Sequence, residues 1–316
     1  MFEVFAQVDT QAGFGQFLLL GLVLGSLYAL IALGYTMVYG IIELINFAHG
    51  DLFMLGSFLA LQLATWVAVT TAANHSNAAI AGTIFLMLLL TPIWCATLNV
   101  TADRLIYKPL RNSPKLTVIV SAIGVSFIFI NLGLFWKGAT PVKFPDLVSD
   151  TNLLPNTDLT LTWKDAMVVG VTVPTMIALT LFVKFTPLGK AMRATAQNPT
   201  AAQLMGINVD RVIAATFAIG GALAGVASVI YGLYIKAVDY QMGFQNGLYA
   251  FTAAVLGGIG NIPGAVLGGL VIGVVGELGK AYLGSKWSEA LIFAILIVIL
   301  LFRPSGLLGA RTREKV

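Results

Sequence analysis

Long apolar runs follow one another through almost the entire chain, and this feature restricts the fold more than any other. Of the 316 residues, 58% are hydrophobic and only 10% are charged, with a mean hydropathy of +0.90. The runs are too long for the strands of a membrane β-barrel, whereas a helix satisfies its own backbone hydrogen bonds in lipid. We therefore predict an all-α polytopic membrane protein that forms one transmembrane domain over residues 1–316.

The apolar runs divide into about nine segments. Their approximate limits are residues 14–39, 52–70, 78–100, 116–136, 166–185, 212–235, 245–257, 263–278 and 289–302. The seventh segment is shorter than the ~20 residues that a spanning helix needs. We predict eight to nine transmembrane helices, with the seventh segment as a full crossing of tilted or irregular structure.

Lysines and arginines are unevenly distributed and indicate an orientation. Acidic residues but no basic ones precede Arg104. Twelve of the 18 basic residues fall in three clusters, which are Arg104, Lys108, Arg111 and Lys115, then Lys184, Lys190, Arg193 and Arg211, then Arg303, Arg311, Arg313 and Lys315. Because basic clusters mark cytoplasmic loops, we predict a cytoplasmic C-terminus and an N-terminus outside. A cytoplasmic loop then lies at about 186–211 and an external loop at about 137–164.

A polar stretch at 190–208 predicts a short helix with both ends capped. Asn198 is a favourable N-cap, Pro199 suits the first helical position, and Gly206 suits the left-handed residue just past the end. Ala202 keeps the body of the helix slim. One face would carry Ala201, Leu204 and Met205. A capped, slim helix between membrane spans is typical of a docking element for a partner outside the membrane.

A second polar stretch, at 39–51, separates the first two segments. Its polar side chains have no bases nearby, and they are Glu43, Asn46, His49 and Asp51. One interpretation is that Asp51 caps the second span and the others face water. The other is a broken helix that lines a substrate path. Asn131 is a weaker path candidate, and an interhelical hydrogen bond would also explain it.

Glycines are concentrated in the last third of the chain. Gly257, Gly258 and Gly260 follow the seventh segment closely. Small residues allow helices to pack closely, and this role alone would account for them. The alternative prediction is a tight cytoplasmic turn beside a translocation path.

The remaining motifs do not support an enzyme. The stretch 273–280 lacks the spacing of a phosphate-binding loop. His49 and His75 have no partners at metal-binding intervals, and the single cysteine, Cys95, offers neither a zinc nor a disulfide pattern. No basic patch is interleaved with aromatic residues. We predict no catalytic residue, no metal site, no cofactor bound by this chain and no nucleic-acid partner.

Several longer motifs resemble one known family. They are GYTMVYGI at 34–41, INFAHG at 45–50, SAIG at 121–124, MGINVDRVIA at 205–214, FTAAVLGGIG at 251–260 and IPGA at 262–265. The chain resembles a membrane permease subunit of the branched-chain amino acid ABC importers, the Liv type, and is most similar to the smaller of that system's two permease chains. The resemblance runs nearly end to end and implies a permease of the BPD-transport-2 type.

The resemblance implies a division of labour in a bacterial inner membrane. A binding protein outside the cytoplasm delivers branched-chain or other neutral amino acids, and two related permease chains form the path by alternating access. Two cytoplasmic ATPase subunits use ATP and Mg to drive transport. In such families the polar stretch between spans is the coupling helix that docks into the ATPase. Carried over here, it implies Asn198 to Ile207 as the docking segment, with Arg193 as a candidate contact to an acidic partner.

Other functions stay open at this point. Related permeases for urea or a short amide share these motifs. A secondary transporter or channel without ATPases would explain glycines and broken helices, but it predicts paired intramembrane charges, which are sparse. A non-transporting scaffold or receptor would accommodate the docking helix but not the glycine-rich spans.

Overall fold

Helices make up nearly all the secondary structure of the chain. The computed structural model describes residues 13–42, 45–70, 77–111, 113–155 and 157–309. The helices are α1 (Phe14–Ile42), α2 (Ala48–Thr70), α3 (Asn77–Ala102), α4 (Lys108–Leu110), α5 (Lys115–Lys137), α6 (Trp163–Phe185), α7 (Pro187–Gln197), α8 (Pro199–Leu204), α9 (Val209–Ile235), α10 (Met242–Gly257), α11 (Ile262–Leu283) and α12 (Ser285–Phe302). A π-helical turn (Asp103–Tyr107) joins α3 to α4, and two short strands, β1 (Val142–Lys143) and β2 (Ala237–Val238), pair antiparallel.

Eight helices in the described part of the chain are long and apolar enough to span a membrane. They are α1, α2, α3 with its extension to Leu110, α5, α6, α9, α11 and α12. The predicted class, a polytopic helical membrane protein, is confirmed. The helices extend beyond the predicted segments at one or both ends, because capping and interfacial residues continue each helix past its apolar core.

The seventh predicted segment is the irregular one. α10 has 16 residues, which at ~1.5 Å per residue covers about 24 Å, less than the ~30 Å hydrocarbon core of a bilayer. Its first turn packs beside Gly50, at the start of α2, and its end lies near Gly264, at the start of α11. The helix alone is therefore too short to be a full crossing.

The described basic residues of the three clusters gather at one end of the helices. Lys108 and Arg111 both form ion pairs with Asp210, at 2.8 and 2.6 Å, which joins the first cluster to the loop that follows α8. The segment after Arg303 is bound to the end of α10, where the Leu307 amide donates to the Leu256 carbonyl at 2.8 Å. We call this end the basic face. The opposite end, which carries β1 and β2, is the strand face.

Glycines bring the backbones of α1 and α11 into direct contact. A Cβ at Gly21 would lie 2.7 Å from the Val274 Cα, and a Cβ at Gly25 would lie 2.7 Å from the Leu270 Cα. A side chain at Gly273 would overlap the backbone of both Gly21 and Gly25. Helices in a membrane gain stability from this kind of close packing because lipid offers no hydrophobic driving force between them.

Ion pairs clamp the polar connection between α5 and α6 onto the strand face. Lys164, whose side chain is 4% exposed, pairs with Asp150. Lys236, just after α9, lies 2.5 Å from the Asp146 carboxylate and 2.6 Å from that of Asp150. Phe144 is fully buried beneath this cluster against Gly232. The connection is thus an ordered cap over the helix ends.

Replacing Gly273 with alanine tests the α1–α11 contact. We expect Gly273→Ala to lower the free energy of unfolding by about 1–3 kcal/mol, because the new methyl group overlaps backbone that cannot move independently. Gly82→Ala is the matched control, since Gly82 is also helical but has open space around it. The control should be neutral or slightly stabilising. Thermal unfolding in detergent measures both, and equal effects would contradict the packing argument.

The strand-face cluster should weaken in acid. Hydrogen bonds from Lys236 hold the pKa of Asp146 below its ordinary value, and those from Lys164 and Lys236 lower the pKa of Asp150. Because both carboxyls have a lower pKa in the folded state, their stabilisation is present above the ordinary Asp value of ~4 and is lost as pH falls through the lowered pKa.

Hydrogen exchange at the Phe144 amide, which donates to the Lys236 carbonyl at 2.9 Å, reports this loss. After correction for intrinsic exchange, we expect weaker protection near pH 3 than at pH 7. The Asp146→Asn/Asp150→Asn variant should show little further change with pH. An equal pH effect in that variant would show that other groups are responsible.

Candidate functional site

The polar stretch on the basic face forms two consecutive helices rather than the single one expected. Thr186 caps α7 by accepting from the Gly189 amide at 3.0 Å, and Pro187 occupies its first turn. Asn198 then caps α8 by accepting from the Ala201 amide at 2.9 Å. Thr186 and Pro187 repeat the cap-and-proline pattern of Asn198 and Pro199, so the sequence did carry the signal for α7.

The predicted ends of α8 are present in the structure. Pro199 is its first residue, and Gly206 follows it with φ of +83°. The Ile207 amide donates to the Ala202 carbonyl at 3.0 Å, which closes the C-terminal end. This left-handed position favours glycine because a Cβ would be strained there.

Two large apolar side chains project from the end of α8. Ala202 is buried against the protein, while Leu204 and Met205 are 85% and 83% exposed. They stand at the basic face beside polar residues, away from the lipid-facing surfaces of the spans. Exposed apolar groups in this position indicate a contact surface. Arg193, on α7, lies in the wall of a cleft between α6 and α7.

A group of buried polar residues lies halfway along the spans. Asp51, which is 1% exposed, accepts a hydrogen bond from Ser126 at 2.5 Å, and its other carboxylate oxygen has no partner among the described residues. Ser126 is midway along α5, which fixes the depth. Neighbouring His49 is also 1% exposed and packs edge-on against Tyr35 at 4.7 Å between ring centroids. We call these four residues the polar centre.

His49 fits only because α1 carries no side chain where its ring lies. A Cβ at Gly34 of α1 would overlap the ring, and the Gly220 carbonyl of α9 would lie 3.2 Å from that Cβ. Neither ring nitrogen makes a well-formed hydrogen bond within the described residues, although the Ile31 carbonyl faces the ring. The imidazole is therefore held by shape and not by polar partners.

The N-termini of two helices meet at the polar centre. Gly50, in the first turn of α2, lies against Gly243, in the first turn of α10, and Gly243 also touches Asp51. Helix N-termini present unpaired amides and a positive dipole end. Two such ends beside one carboxylate make a compact polar site at mid-membrane depth, of the kind formed by discontinuous helices in transporters.

An asparagine pair continues the polar site towards the basic face. Asn46, just before α2, donates to Asn99 at 3.3 Å, and Asn99 donates to the Phe217 carbonyl at 2.7 Å. Tyr107 donates to Asn46 at 2.8 Å and stacks on the Phe217 ring. Tyr107 belongs to the π-helical turn, and such turns often occur at functional sites.

An ion-pair network lies just beyond this turn. Arg111 binds Asp103, which is 1% exposed, and also Asp210, each at 2.6 Å. Asp210 is in the first turn of α9, two residues after Asn208, the cap that follows α8. The network therefore joins the end of the docking segment to the π-helical turn and, through Tyr107, to Asn46.

Other predicted path residues fall elsewhere. Asn131 is exposed on α5 and donates to the Phe127 carbonyl of its own helix, so the structure does not bring it to the polar centre. Gly257 packs against Gly264, while Gly258 and Gly260 adopt positive φ in the turn between α10 and α11. These glycines form a tight turn at the basic face. Glu43 lies outside the described residues.

Sequence reasoning missed several members of this arrangement. Ser126, Asn99 and Tyr107 sit within or at the end of apolar runs, where a polar residue is itself a signal of function. In the sequence, Asp103 and Arg111 contribute only to the charge distribution. Within the described residues, no three His, Cys, Asp or Glu side chains are grouped so that they could hold a metal ion.

Comparisons with known proteins relate nearly the whole chain to one family of membrane permeases. A family model described as "Branched-chain amino acid transport system / permease component" matches residues 17–300. The permease protein LivH of a high-affinity branched-chain amino acid transport system from Salmonella typhimurium is 41% identical over 94% of this chain and 96% of its own length. Its counterpart from Escherichia coli K12 is 40% identical with the same coverage, and BraD from Pseudomonas aeruginosa is 39% identical. No solved structure matches the chain.

The buried Asp103–Arg111 ion pair should contribute far more to stability than the exposed Lys108–Asp210 ion pair. We expect Arg111→Gln to cost about 3–5 kcal/mol in the free energy of unfolding, because it leaves the buried Asp103 carboxylate without compensation. Lys108→Gln is the control, since Lys108 and Asp210 are both about half exposed, and it should cost about 0–1 kcal/mol.

Adding Asp103→Asn to the Arg111→Gln variant should recover part of the loss. Thermal unfolding in detergent measures all three variants. If Lys108→Gln were as damaging as Arg111→Gln, burial of Asp103 would not be the cause.

Proposed function

The chain belongs to the family of permease components of branched-chain amino acid transport systems, and from this membership we propose that it imports branched-chain amino acids as one subunit of an ATP-driven complex in a bacterial inner membrane. Family membership confirms the predicted transport subunit in place of an enzyme. The proposed partners are a second related permease chain, two cytoplasmic ATPase subunits and an extracytoplasmic binding protein. ATP and Mg are used by the ATPases.

We assign the basic face to the cytoplasm. Arg111, Lys184 and Arg193 are all at this end, and the charge rule places such residues on the cytoplasmic side. The strand face, with its ion-paired cap, then faces the binding protein. The N-terminus lies outside and the C-terminus inside in this arrangement.

The observation that carries the proposal is the exposed apolar end of α8. Leu204 and Met205 project from a rigid, doubly capped helix on the face where an ATPase would dock. We propose that these two side chains insert into the ATPase surface while Asn198, Pro199 and Gly206 hold the helix in shape. Ala202 and Ile207 anchor it to the protein. Arg193 lines a cleft together with residues of α6 and of the turn between α10 and α11, so we do not assign it to the same contact surface.

The polar centre is our candidate for the translocation route. A zwitterionic substrate needs polar groups at mid-depth, and His49 and Asp51 supply them where the N-termini of α2 and α10 meet. The site is closed in this structure, so substrate enters only when the helices rearrange. Movement of α8 would reach Asn46 through the Asp210–Arg111–Asp103 ion pairs and the π-helical turn that carries Tyr107, and this would couple ATP hydrolysis to opening.

Reconstitution into proteoliposomes tests the function directly. With the ATPases, the second permease chain and the binding protein present, we expect ATP-dependent uptake of leucine, isoleucine and valine. Urea uptake under the same conditions would favour the rival substrate class. Uptake without any ATPase would instead identify a secondary transporter.

Gly206 provides a sharp test of α8. We expect Gly206→Val to reduce ATPase capture and substrate-stimulated ATP hydrolysis severalfold, because a β-branched residue is strained at φ of +83° and displaces Leu204 and Met205. Membrane insertion should be unchanged, since Gly206 lies outside the spanning helices and a side chain there would meet no other part of the protein.

Gly206→Asn is the matched control, because asparagine tolerates the left-handed conformation. It should retain most coupling. Normal transport by Gly206→Val would contradict the role assigned to α8, and so would an equal loss in both variants.

A further inference from the structure

A cleft opens on the basic face beside the end of α6. It has a volume of about 410 Å³ and lies between α6, α7 and the turn that joins α10 to α11. Lys184 of α6, Arg193 of α7 and Asn261 of the turn contribute polar groups to its wall. This volume is in the range of small-molecule sites. None of the residues that line the cleft belongs to the polar centre or to the docking segment from Asn198 to Ile207.

The charge of the cleft is positive and uncompensated. Lys184 and Arg193 are exposed and form no ion pair within the described residues, and no acidic residue lines the cleft. The N-terminus of α11, capped by Asn261, adds the positive end of a 22-residue helix. A concave surface lined by one sign of charge concentrates the opposite charge. The cleft is therefore suited to an anion.

An exposed apolar ridge leads from the strand-face half of α6 to this cleft. Its members recur every four residues, and they are Val169, Val173, Ile177, Leu181 and Phe185. Residues at this spacing share one face of a helix. Leu181 and Phe185 are next in sequence to Thr180 and Lys184, which line the cleft, so the ridge ends beside the charged cleft at the end of the span.

We propose that the cleft binds the headgroup of an anionic phospholipid whose acyl chains lie along the α6 ridge. Lys184 and Arg193 contact the phosphate, and the mouth of the cleft admits the rest of the headgroup. Basic pockets between helices on the cytoplasmic side are suited to such headgroups. A free phosphate or an acidic ATPase side chain would use the charges but would leave the ridge without a role. The proposal is independent of the transported substrate.

Native mass spectrometry of the delipidated chain tests the proposal with defined lipids. We expect phosphatidylglycerol to bind more tightly than phosphatidylcholine. Lys184→Gln/Arg193→Gln should weaken phosphatidylglycerol binding by about tenfold or more, since two charges near the headgroup are lost. Lys190→Gln is the matched control, because Lys190 is exposed on α7 but does not line the cleft, and it should bind like the parent.

Two further variants distinguish the effect of lost charge on lipid binding from an effect of misfolding. Lys184→Arg keeps the charge and should keep binding, whereas Thr180→Trp fills the cleft without changing charge and should weaken it. Equal binding of phosphatidylcholine would overturn the proposal. So would competition by inorganic phosphate at millimolar concentration, which would identify a simple anion site. An equal loss in Lys190→Gln would show that only diffuse surface charge attracts the lipid.

Discussion

Direct backbone contact between α1 and α11 is the constraint on which the arrangement of the other helices depends. Gly21 and Gly25 on one helix and Gly273 on the other leave no room for side chains. α10 packs on α11 in the same way, through Gly257 and Gly264. Since lipid provides no hydrophobic force between helices, close approach supplies the dispersion contacts that hold them together. A helix too short to span the bilayer, α10, is thereby fixed at a defined depth.

The same absence of side chains creates the space for the polar centre. Gly34 admits the His49 ring, and Gly50 with Gly243 allows two helix N-termini to meet beside Asp51. Buried polar groups at this depth are costly, and those without partners are the strongest sign of function. The contacts from Asn46 towards the basic face provide a continuous physical route to α8.

The sequence predicted the local features well and the long-range ones poorly. Apolar length predicted the spans, and cap preferences predicted the ends of α8, because these signals come from neighbouring residues. The sequence does not indicate which face of α5 carries Asn131, because the face that a helix buries depends on its partners and α5 carries apolar residues all round. The Asp103–Arg111 pair and the Ser126–Asp51 hydrogen bond join residues 8 and 75 positions apart. Single-sequence patterns do not indicate such pairings.

The chemical accessibility of Ser126 in the working complex tests the central claim that the polar centre lies on the translocation route. In Ser126→Cys, a membrane-impermeant thiol reagent should react slowly at rest, faster during ATP-driven turnover, and less in the presence of excess leucine. The single native cysteine, Cys95, is buried and provides an internal reference that stays unmodified. Absence of modification in every state, with transport intact, would place the route elsewhere.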